Sequence, residues 1–210
     1  MCSAATARSE GRTVASRIGV LGGAFNPPHI GHLVLAHEAA HQLELERVLL
    51  IPAGVAPHRE IDPEPGAAVR MEMVRLAAEG DELLDASDVE VSRDEPSWTF
   101  RTLELLHDER PGDEITLLMG ADVAESLGSW KNPERVLELA EVGVAGRPGS
   151  ILDEAESMLE GLGGRYEAIR MPGLGISSTR VRRRIAAGKP IRYLVPDAVR
   201  GLIEEKGLYR

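Results

Sequence analysis

Cysteine, aromatic side chains and long apolar runs are all scarce in this chain of 210 residues. Its single Cys2 excludes an internal disulfide framework and a metal site built from several thiolates. No apolar run reaches the roughly 18 residues that a membrane span needs, so we expect no membrane partner. Residues 1–16 are rich in Ser, Ala, Thr and Arg but lack the apolar centre of a secretory signal. We therefore expect a disordered N-terminal extension and a cytoplasmic protein.

An excess of positive charge is also lacking. Lys and Arg together number 24 against 34 Asp and Glu, which gives a net charge of −10. Because a nucleic-acid surface needs a basic face, we predict no nucleic-acid partner. A small phosphorylated ligand is still compatible with this charge, because a local cluster exists at Arg180 and residues 182–184. For Arg183 and Arg184 the plain alternative is the solvated face of a helix.

Apolar segments of strand length alternate with helical patterns along the chain. Strands are predicted at 17–21, 48–51, 83–91, 114–119 and 142–145. Helices are predicted at 33–43, 69–78, 97–107, 133–139, 177–187 and 196–206. The alternation predicts an α/β fold: a Rossmann-like, doubly wound parallel sheet flanked by helices, with a small C-terminal helical extension. We expect a single domain over residues 17–210, with its ligand crevice at the carboxyl ends of the strands.

The most informative stretch is residues 22–32, Gly-Gly-Ala-Phe-Asn-Pro-Pro-His-Ile-Gly-His, between the first predicted strand and helix. Glycines let the main chain approach an anion closely, and a helix start offers N–H groups and a partial positive charge. His29 and His32 are three residues apart, so at a helix start they share one face. Two ordinary capping histidines are the plain alternative. The pattern favours a site in which phosphate charge grows, whereas the P-loop and G-x-G-x-x-G patterns are absent.

Residues 37–41, His-Glu-Ala-Ala-His, match the H-E-x-x-H pattern of zinc peptidases. A zinc site would use His37 and His41 as ligands and Glu38 as the base. On a helical wheel, however, both histidines fall at the polar edge of the helix. We therefore interpret the match as a coincidence on an amphipathic helix and keep zinc peptidase as a remote alternative.

Three further segments have both a structural and a functional interpretation. Residues 177–179, Ser-Ser-Thr, precede a helix and fit either an ordinary N-cap or a phosphate site. Asp122 follows a predicted strand and fits either an N-cap or a ribose contact. The proline-rich loop at 53–66 is long for a simple connection and fits either a disordered surface loop or a functional lid.

Residues 22–32 together with residues 176–182, Ile-Ser-Ser-Thr-Arg-Val-Arg, resemble the HxGH nucleotidyltransferases, distant relatives of class I aminoacyl-tRNA synthetases. Their order and spacing resemble the nicotinate-nucleotide adenylyltransferase family over roughly residues 17–206. The resemblance implies adenylyl transfer from ATP to nicotinate mononucleotide, giving deamido-NAD and pyrophosphate in NAD biosynthesis. It implies that Mg²⁺ arrives bound to ATP and that the protein has no metal site of its own. The resemblance is compatible with a homo-oligomer but does not decide the oligomeric state. A pantetheine-phosphate adenylyltransferase or another member of the superfamily is the alternative.

The resemblance also assigns roles to residues that match the family's motifs. The catalytic pair would be His29 and His32. The implied ATP-binding residues are Gly22, Gly23, Phe25, His29, His32, Gly120, Asp122, Ile176, Ser177, Ser178, Thr179 and Arg182. The implied nicotinate mononucleotide-binding residues are Asn26, Arg59, Ser97, Trp98, Thr99, Trp130 and Lys131. Among these, the Pro-Ser-Trp-Thr turn at 96–99 would border the nicotinate carboxylate, and Trp130 would lie against the pyridine ring.

Overall fold

The fold is built on a parallel sheet of six strands within the residues that the structure, a computed structural model, describes: 15–56, 63–146 and 153–210. The strands are β1 Arg17–Gly23, β2 Arg47–Pro52, β3 Leu84–Ala86, β4 Glu114–Gly120, β5 Glu141–Gly146 and β6 Tyr166–Arg170. Their order is β3-β2-β1-β4-β5-β6, and every neighbouring pair is parallel. From β1 the chain adds β2 and β3 towards one edge of the sheet, and it then returns to add β4, β5 and β6 towards the other edge. Doubly wound folds bind their ligands at this switch point, between β1 and β4.

Helices cover both faces of this sheet. The α-helices are α1 Ile30–Leu43, α2 Ala67–Ala78, α3 Thr99–Glu109, α4 Ala121–Ala124, α5 Pro133–Leu139, α6 Asp153–Gly161, α7 Ser178–Ala186 and α8 Asp197–Glu205. Leu103 and Leu106 of α3 pack on one face, and Leu35 and Ala36 of α1 pack on the other. The predicted Rossmann-like, doubly wound architecture is confirmed.

The C-terminal helices have a core of their own. Val181 of α7 and Val199 and Leu202 of α8 pack against Met73 of α2. Since α2 also packs beside β2 and β3, this third cluster attaches the C-terminal helices to the sheet. The predicted small helical extension is therefore present, and α2 connects it to the part of the sheet that carries β2 and β3.

Three details differ from the sequence-based expectation. The strand predicted at 83–91 ends at Ala86, because the chain then forms turns in which Ser92 N donates to Asp88 O at 2.9 Å. The helix predicted from residue 97 begins at Thr99. Helix α6 and strand β6 were not predicted. The predicted extension at 1–16 lies almost entirely outside the described residues. None of the described helices is long and apolar enough to cross a bilayer.

Candidate active site

The histidine pair stands at the carboxyl end of β1, where the chain turns into α1. His29 is the N-cap residue of α1 and has extended backbone angles, and His32 lies in the first turn. The main-chain N–H of His29 donates to Nδ1 of His32 at 3.1 Å. Their rings stack with centroids 3.7 Å apart, and the Phe25 ring lies 4.9 Å from that of His32. The structure thus brings both predicted catalytic side chains together on one face of the helix start.

Both imidazoles are neutral at pH 7. Burial lowers the pKa of His29 to about 4, and burial followed by the charge of His29 lowers the pKa of His32 well below its usual value. Since Nδ1 of His32 accepts a hydrogen bond from an N–H group, its ring proton sits on Nε2. Nδ1 of His29 is buried and has no hydrogen-bond partner among the described residues. The pair can therefore offer ring N–H donors to an incoming anion.

The absence of a side chain at Gly31 leaves room for the imidazole ring of His29. A Cβ atom at position 31 would lie 3.0 Å from Nδ1 of His29 and 3.1 Å from Cε1. A side chain there would push the imidazole out of place. The first N–H of α1 is also committed, because Ile30 N donates to Leu194 O at 2.9 Å. The N–H group of Ile30 is therefore not free to bind an anion.

A first cavity opens at the ends of β1, β2 and β4. Its apolar walls include Val20, Ile51 and Leu117. Gly22, Gly23, Ser97, Thr99 and Trp130 also line this cavity. Four residue types thus meet here: two glycines predicted to bind ATP, and the serine, threonine and tryptophan predicted to bind the acceptor.

A second cavity lies on the other side of β4's carboxyl end. It is lined by Gly120 and Asp122, both predicted to bind ATP, together with Leu35, Ala145 and Met171. Asp122 is exposed and lies in the first turn of α4, whose N-cap is Gly120. The plain N-cap explanation for Asp122 is therefore wrong, and its predicted ribose contact stays a prediction.

The second motif reaches the histidine turn from α7. Ser178 Oγ donates to Pro27 O at 2.9 Å, and Arg182 Nη1 donates to Asn26 O at 2.8 Å. Ser177 is the N-cap of α7, and its Oγ accepts from Arg180 N at 3.2 Å. The two motifs, separated by about 150 residues in sequence, are thus in direct contact.

The remaining residues of that motif differ in their surroundings. Ile176 packs against the C-terminal core, and Thr179 is exposed at the start of α7. Ser177 has the ordinary N-cap role that the sequence also allowed. Their predicted contacts with ATP phosphates stay predictions.

The turn at residues 96–99 uses part of its main chain internally. Ser97 N donates to Val55 O at 2.9 Å, and Trp98 N donates to Pro96 O at 2.8 Å. Thr99 begins α3, and Arg101 N and Thr102 N already donate to Trp98 O at 2.9 Å and 3.1 Å. Donors for a carboxylate at this turn are therefore expected from Thr99 and Phe100, the first two residues of the helix. Ser97 Oγ accepts from Gly54 N at 2.9 Å, which ties the turn to the end of β2.

Three other predicted acceptor residues are placed as follows. Asn26 is buried, with 2% of its surface exposed, and both polar atoms of its side chain contact other parts of the chain. Lys131 is exposed beside Trp130. Arg59 lies outside the described residues. A direct contact between these residues and a ligand stays a prediction.

The H-E-x-x-H match lies away from this crevice. His37 Nε2 and Asp81 Oδ2 are 2.6 Å apart, and the His37 side chain is 51% exposed. His41 is also exposed. In the part of the chain that the structure describes, no three His, Cys, Asp or Glu side chains form a group that could hold a metal ion. Within residues 15–56, 63–146 and 153–210, the pattern therefore has no third ligand of the kind that a zinc peptidase needs.

Comparison with known proteins assigns the chain to a family. Residues 20–184 match the cytidylyltransferase-like family model. A protein of Exiguobacterium sibiricum named "Probable nicotinate-nucleotide adenylyltransferase" is 42% identical, with 92% of this chain and 98% of the relative covered. A Roseiflexus protein of the same name is 43% identical over the same shares. The chain belongs to the nicotinate-nucleotide adenylyltransferase family.

Solved structures in this adenylyltransferase family share its fold. The nicotinic acid mononucleotide adenylyltransferase of Plasmodium falciparum, solved with APC and also with NaAD, matches with a TM-score of 0.74. The alignment covers 92% of this chain and 97% of the parasite enzyme at 19% sequence identity. At that identity the likeness concerns the fold alone.

Two buried charged residues of this adenylyltransferase family member were not found by sequence reasoning. Arg70 is fully buried and donates to Ala53 O at 2.6 Å, to Ala24 O at 3.1 Å and to Gly54 O at 3.3 Å. It thereby joins the ends of β1 and β2. Its signal in the sequence was an arginine on the apolar face of a predicted helix, next to methionine.

Glu90 is the second such residue, and it lines the first cavity. Its Oε1 accepts from Thr102 Oγ1 at 2.7 Å, and burial raises its pKa despite the hydrogen bonds from Thr102 and Ser97. A Cβ at Gly54 would lie 2.3 Å from the Glu90 carbonyl oxygen, so position 54 accepts only glycine. The sequence signal was masked because Glu90 fell inside a predicted strand.

Proposed function

We propose that this protein transfers the adenylyl group of ATP to nicotinate mononucleotide, forming deamido-NAD and pyrophosphate. Family membership supports the reaction class. The alignments with relatives named for this activity cover 92% of this chain and 98% of each relative. The observation that carries the proposal is the stacked, neutral pair of His29 and His32 at the turn between β1 and α1, with a cavity on each side of β4's carboxyl end.

The chemistry requires alignment more than proton transfer. The attacking group is a phosphate oxygen that is already ionised at neutral pH, so no general base is needed. Catalysis then consists of holding the two substrates for in-line attack on the α-phosphorus and stabilising charge on the equatorial and leaving oxygens. His29 and His32 supply ring N–H donors for this charge, while Ser178 and Arg182 hold the β- and γ-phosphates.

The first cavity suits the acceptor. Its walls are mostly apolar, and Trp130 offers an aromatic face for the pyridine ring. The start of α3 at Thr99 supplies main-chain donors and a partial positive charge for the nicotinate carboxylate. The second cavity, with Gly120 and Asp122, is left for the adenosine part of ATP.

Mg²⁺ would reach the site with ATP. Among the described residues no cluster of carboxylate, imidazole or thiol side chains could form a metal cage. That arrangement fits a cation held mainly by phosphate oxygens and water, which is how Mg²⁺ commonly binds in nucleotide sites. Neutralising part of the triphosphate charge is the chemistry that the ion supplies.

Pyrophosphate release tests the proposal directly. Purified protein is incubated with ATP and Mg²⁺ plus nicotinate mononucleotide, nicotinamide mononucleotide or 4′-phosphopantetheine, and with CTP in place of ATP. We expect release with ATP and nicotinate mononucleotide, with deamido-NAD identified by mass spectrometry. Release with phosphopantetheine alone would assign the protein to the pantetheine branch instead, and release with CTP alone would overturn adenylyl transfer.

A further inference from the structure

The segment that leads into His29 is held by contacts from the C-terminal part of the chain. Ser178 Oγ donates to Pro27 O, and Arg182 Nη1 donates to Asn26 O. Tyr209 Oη donates to Asn26 Oδ1. Ile30 N, just after His29, donates to Leu194 O. Residues 26–30 are thus fixed at four points by a region that follows them by more than 140 residues.

Tyr209 makes the least expected of these contacts, because it follows α8 and lies outside both sequence motifs. Helix α8 ends in a turn in which Leu208 N donates to Ile203 O at 3.0 Å and Gly207 has φ of +62°. This is the usual way in which a glycine ends a helix and reverses the chain. The reversal carries the Tyr209 ring back to Asn26, beside the sulfur of Met73.

The orientation of the Asn26 amide makes the tyrosine hydroxyl indispensable. Asn26 Nδ2 donates to Pro63 O at 2.7 Å, and a carbonyl oxygen can only accept. Oδ1 must therefore face Tyr209, whose hydroxyl must donate. Asn26 is only 2% exposed, so water cannot replace that donor without rearrangement. Burial also raises the pKa of Tyr209 above its usual range, which keeps the hydroxyl protonated as a donor.

We propose that Tyr209 is a positioning residue for catalysis: its hydroxyl orients Asn26 and so fixes the turn that places His29 and His32. This inference rests on the proposed function. The tyrosine touches neither substrate; it acts through Asn26, which also links the turn to Pro63 at the end of the 54–66 loop. Without the hydroxyl, the buried Asn26 Oδ1 loses its donor, and the amide is free to rotate away from Pro63.

Tyr209→Phe removes only the oxygen, and Tyr193→Phe is the matched control because Tyr193 is 76% exposed. We expect Tyr209→Phe to lower kcat by about tenfold or more, since small misplacements of catalytic groups cost up to about 10²-fold. KM for both substrates should change by less than about threefold, and the thermal midpoint should stay close to that of the control. Hydrogen exchange in a peptide covering residues 24–33 should become faster in Tyr209→Phe but not in Tyr193→Phe.

Other outcomes have a definite meaning. A Tyr209→Phe variant with the kcat and the local exchange of the control would overturn the inference. A variant that loses protection throughout the molecule, or fails to fold, would show a general stabilising role and also overturn it. If the wild-type protein releases no pyrophosphate, the proposed function fails, and the exchange comparison alone decides whether Tyr209 holds the turn.

Discussion

The main-chain N–H of His29 donates a hydrogen bond to Nδ1 of His32, and their imidazole rings stack with centroids 3.7 Å apart. This arrangement fixes the tautomer of His32 and leaves its Nε2–H as a donor. Stacking two cationic rings at this distance would be unfavourable, and burial keeps both rings neutral in the protein without substrate. The site is therefore prepared to receive negative charge rather than to repel a second positive one.

Replacing His29 or His32 with Ala should lower kcat by on the order of 10²-fold or more, the cost of losing a donor to transition-state charge. Binding of ATP should weaken much less, because the contacts that we propose between the phosphates and α7 do not involve either histidine. Steady-state kinetics and ATP titration measure both quantities. His41→Ala is the control, since His41 is exposed on the same helix. Near-wild-type kcat in both active-site variants would contradict the assigned role.

The low pKa of His29 predicts an acid-dependent loss of stability. Its folded value of about 4 lies below the ordinary value of 6.5, so the unfolded chain takes up a proton first as the pH falls. The contribution of neutral His29 to the free energy of unfolding is fully present above pH 6.5 and is lost as the pH falls towards 4. Between pH 7 and pH 5 this group costs roughly 2 kcal/mol of unfolding free energy. Urea unfolding of His29→Gln should show that much less loss over this range, and parallel curves would contradict the shift.

Glu90→Gln should stabilise the protein at neutral pH. Burial raises the pKa of Glu90, so ionisation costs stability as the pH rises above the unfolded value of about 4.3. Gln keeps an oxygen that accepts from Thr102 but carries no charge. The thermal midpoint of the variant should exceed that of wild type at pH 7.5, by about 2–4 °C for each kcal/mol, and the two should converge near pH 4. A lower midpoint for the variant at pH 7.5 would show that the carboxylate is needed as an ion.

Trp130→Ala should raise KM for the acceptor by about tenfold, because a stacking contact of this kind contributes on the order of 1–3 kcal/mol. In the proposed site the aromatic face would contact the pyridine ring of the acid and of the amide in the same way, so the preference between them should change little. Trp130 also packs against the core beneath the cavity, so the thermal midpoint must be measured in parallel. An unchanged KM would leave this residue with a packing role only.

The sequence predicted the fold well where burial dictated the pattern. Strands β1, β2, β4 and β5 are buried on both faces and read as continuous apolar runs. Strand β6 has no such apolar run, because only Ile169 of its five residues is buried. Pairing with β5 at the edge of the sheet holds this strand in place. Periodicity carries no signal for such a strand.

The candidate site was predictable where local motifs carry it and not where distant segments meet. The histidine turn and the Ser-Ser-Thr turn were read directly from the sequence, and each stands at a helix start. Arg70 and Tyr209 were missed because each acts through main-chain or amide groups that come near only in the folded chain. A buried arginine on an apolar helix face was the one visible sign.

The most direct test compares nicotinate mononucleotide with nicotinamide mononucleotide under identical conditions with ATP and Mg²⁺. The two acceptors differ only in carboxylate against carboxamide, so we expect the main-chain donors at the start of α3 to distinguish them. The amide would leave a buried donor unpaired, at a cost of roughly 1–3 kcal/mol, and would lose the charge of the acid. We predict a kcat/KM ratio of at least about tenfold in favour of the acid. An equal or reversed preference would contradict the assignment of the acceptor.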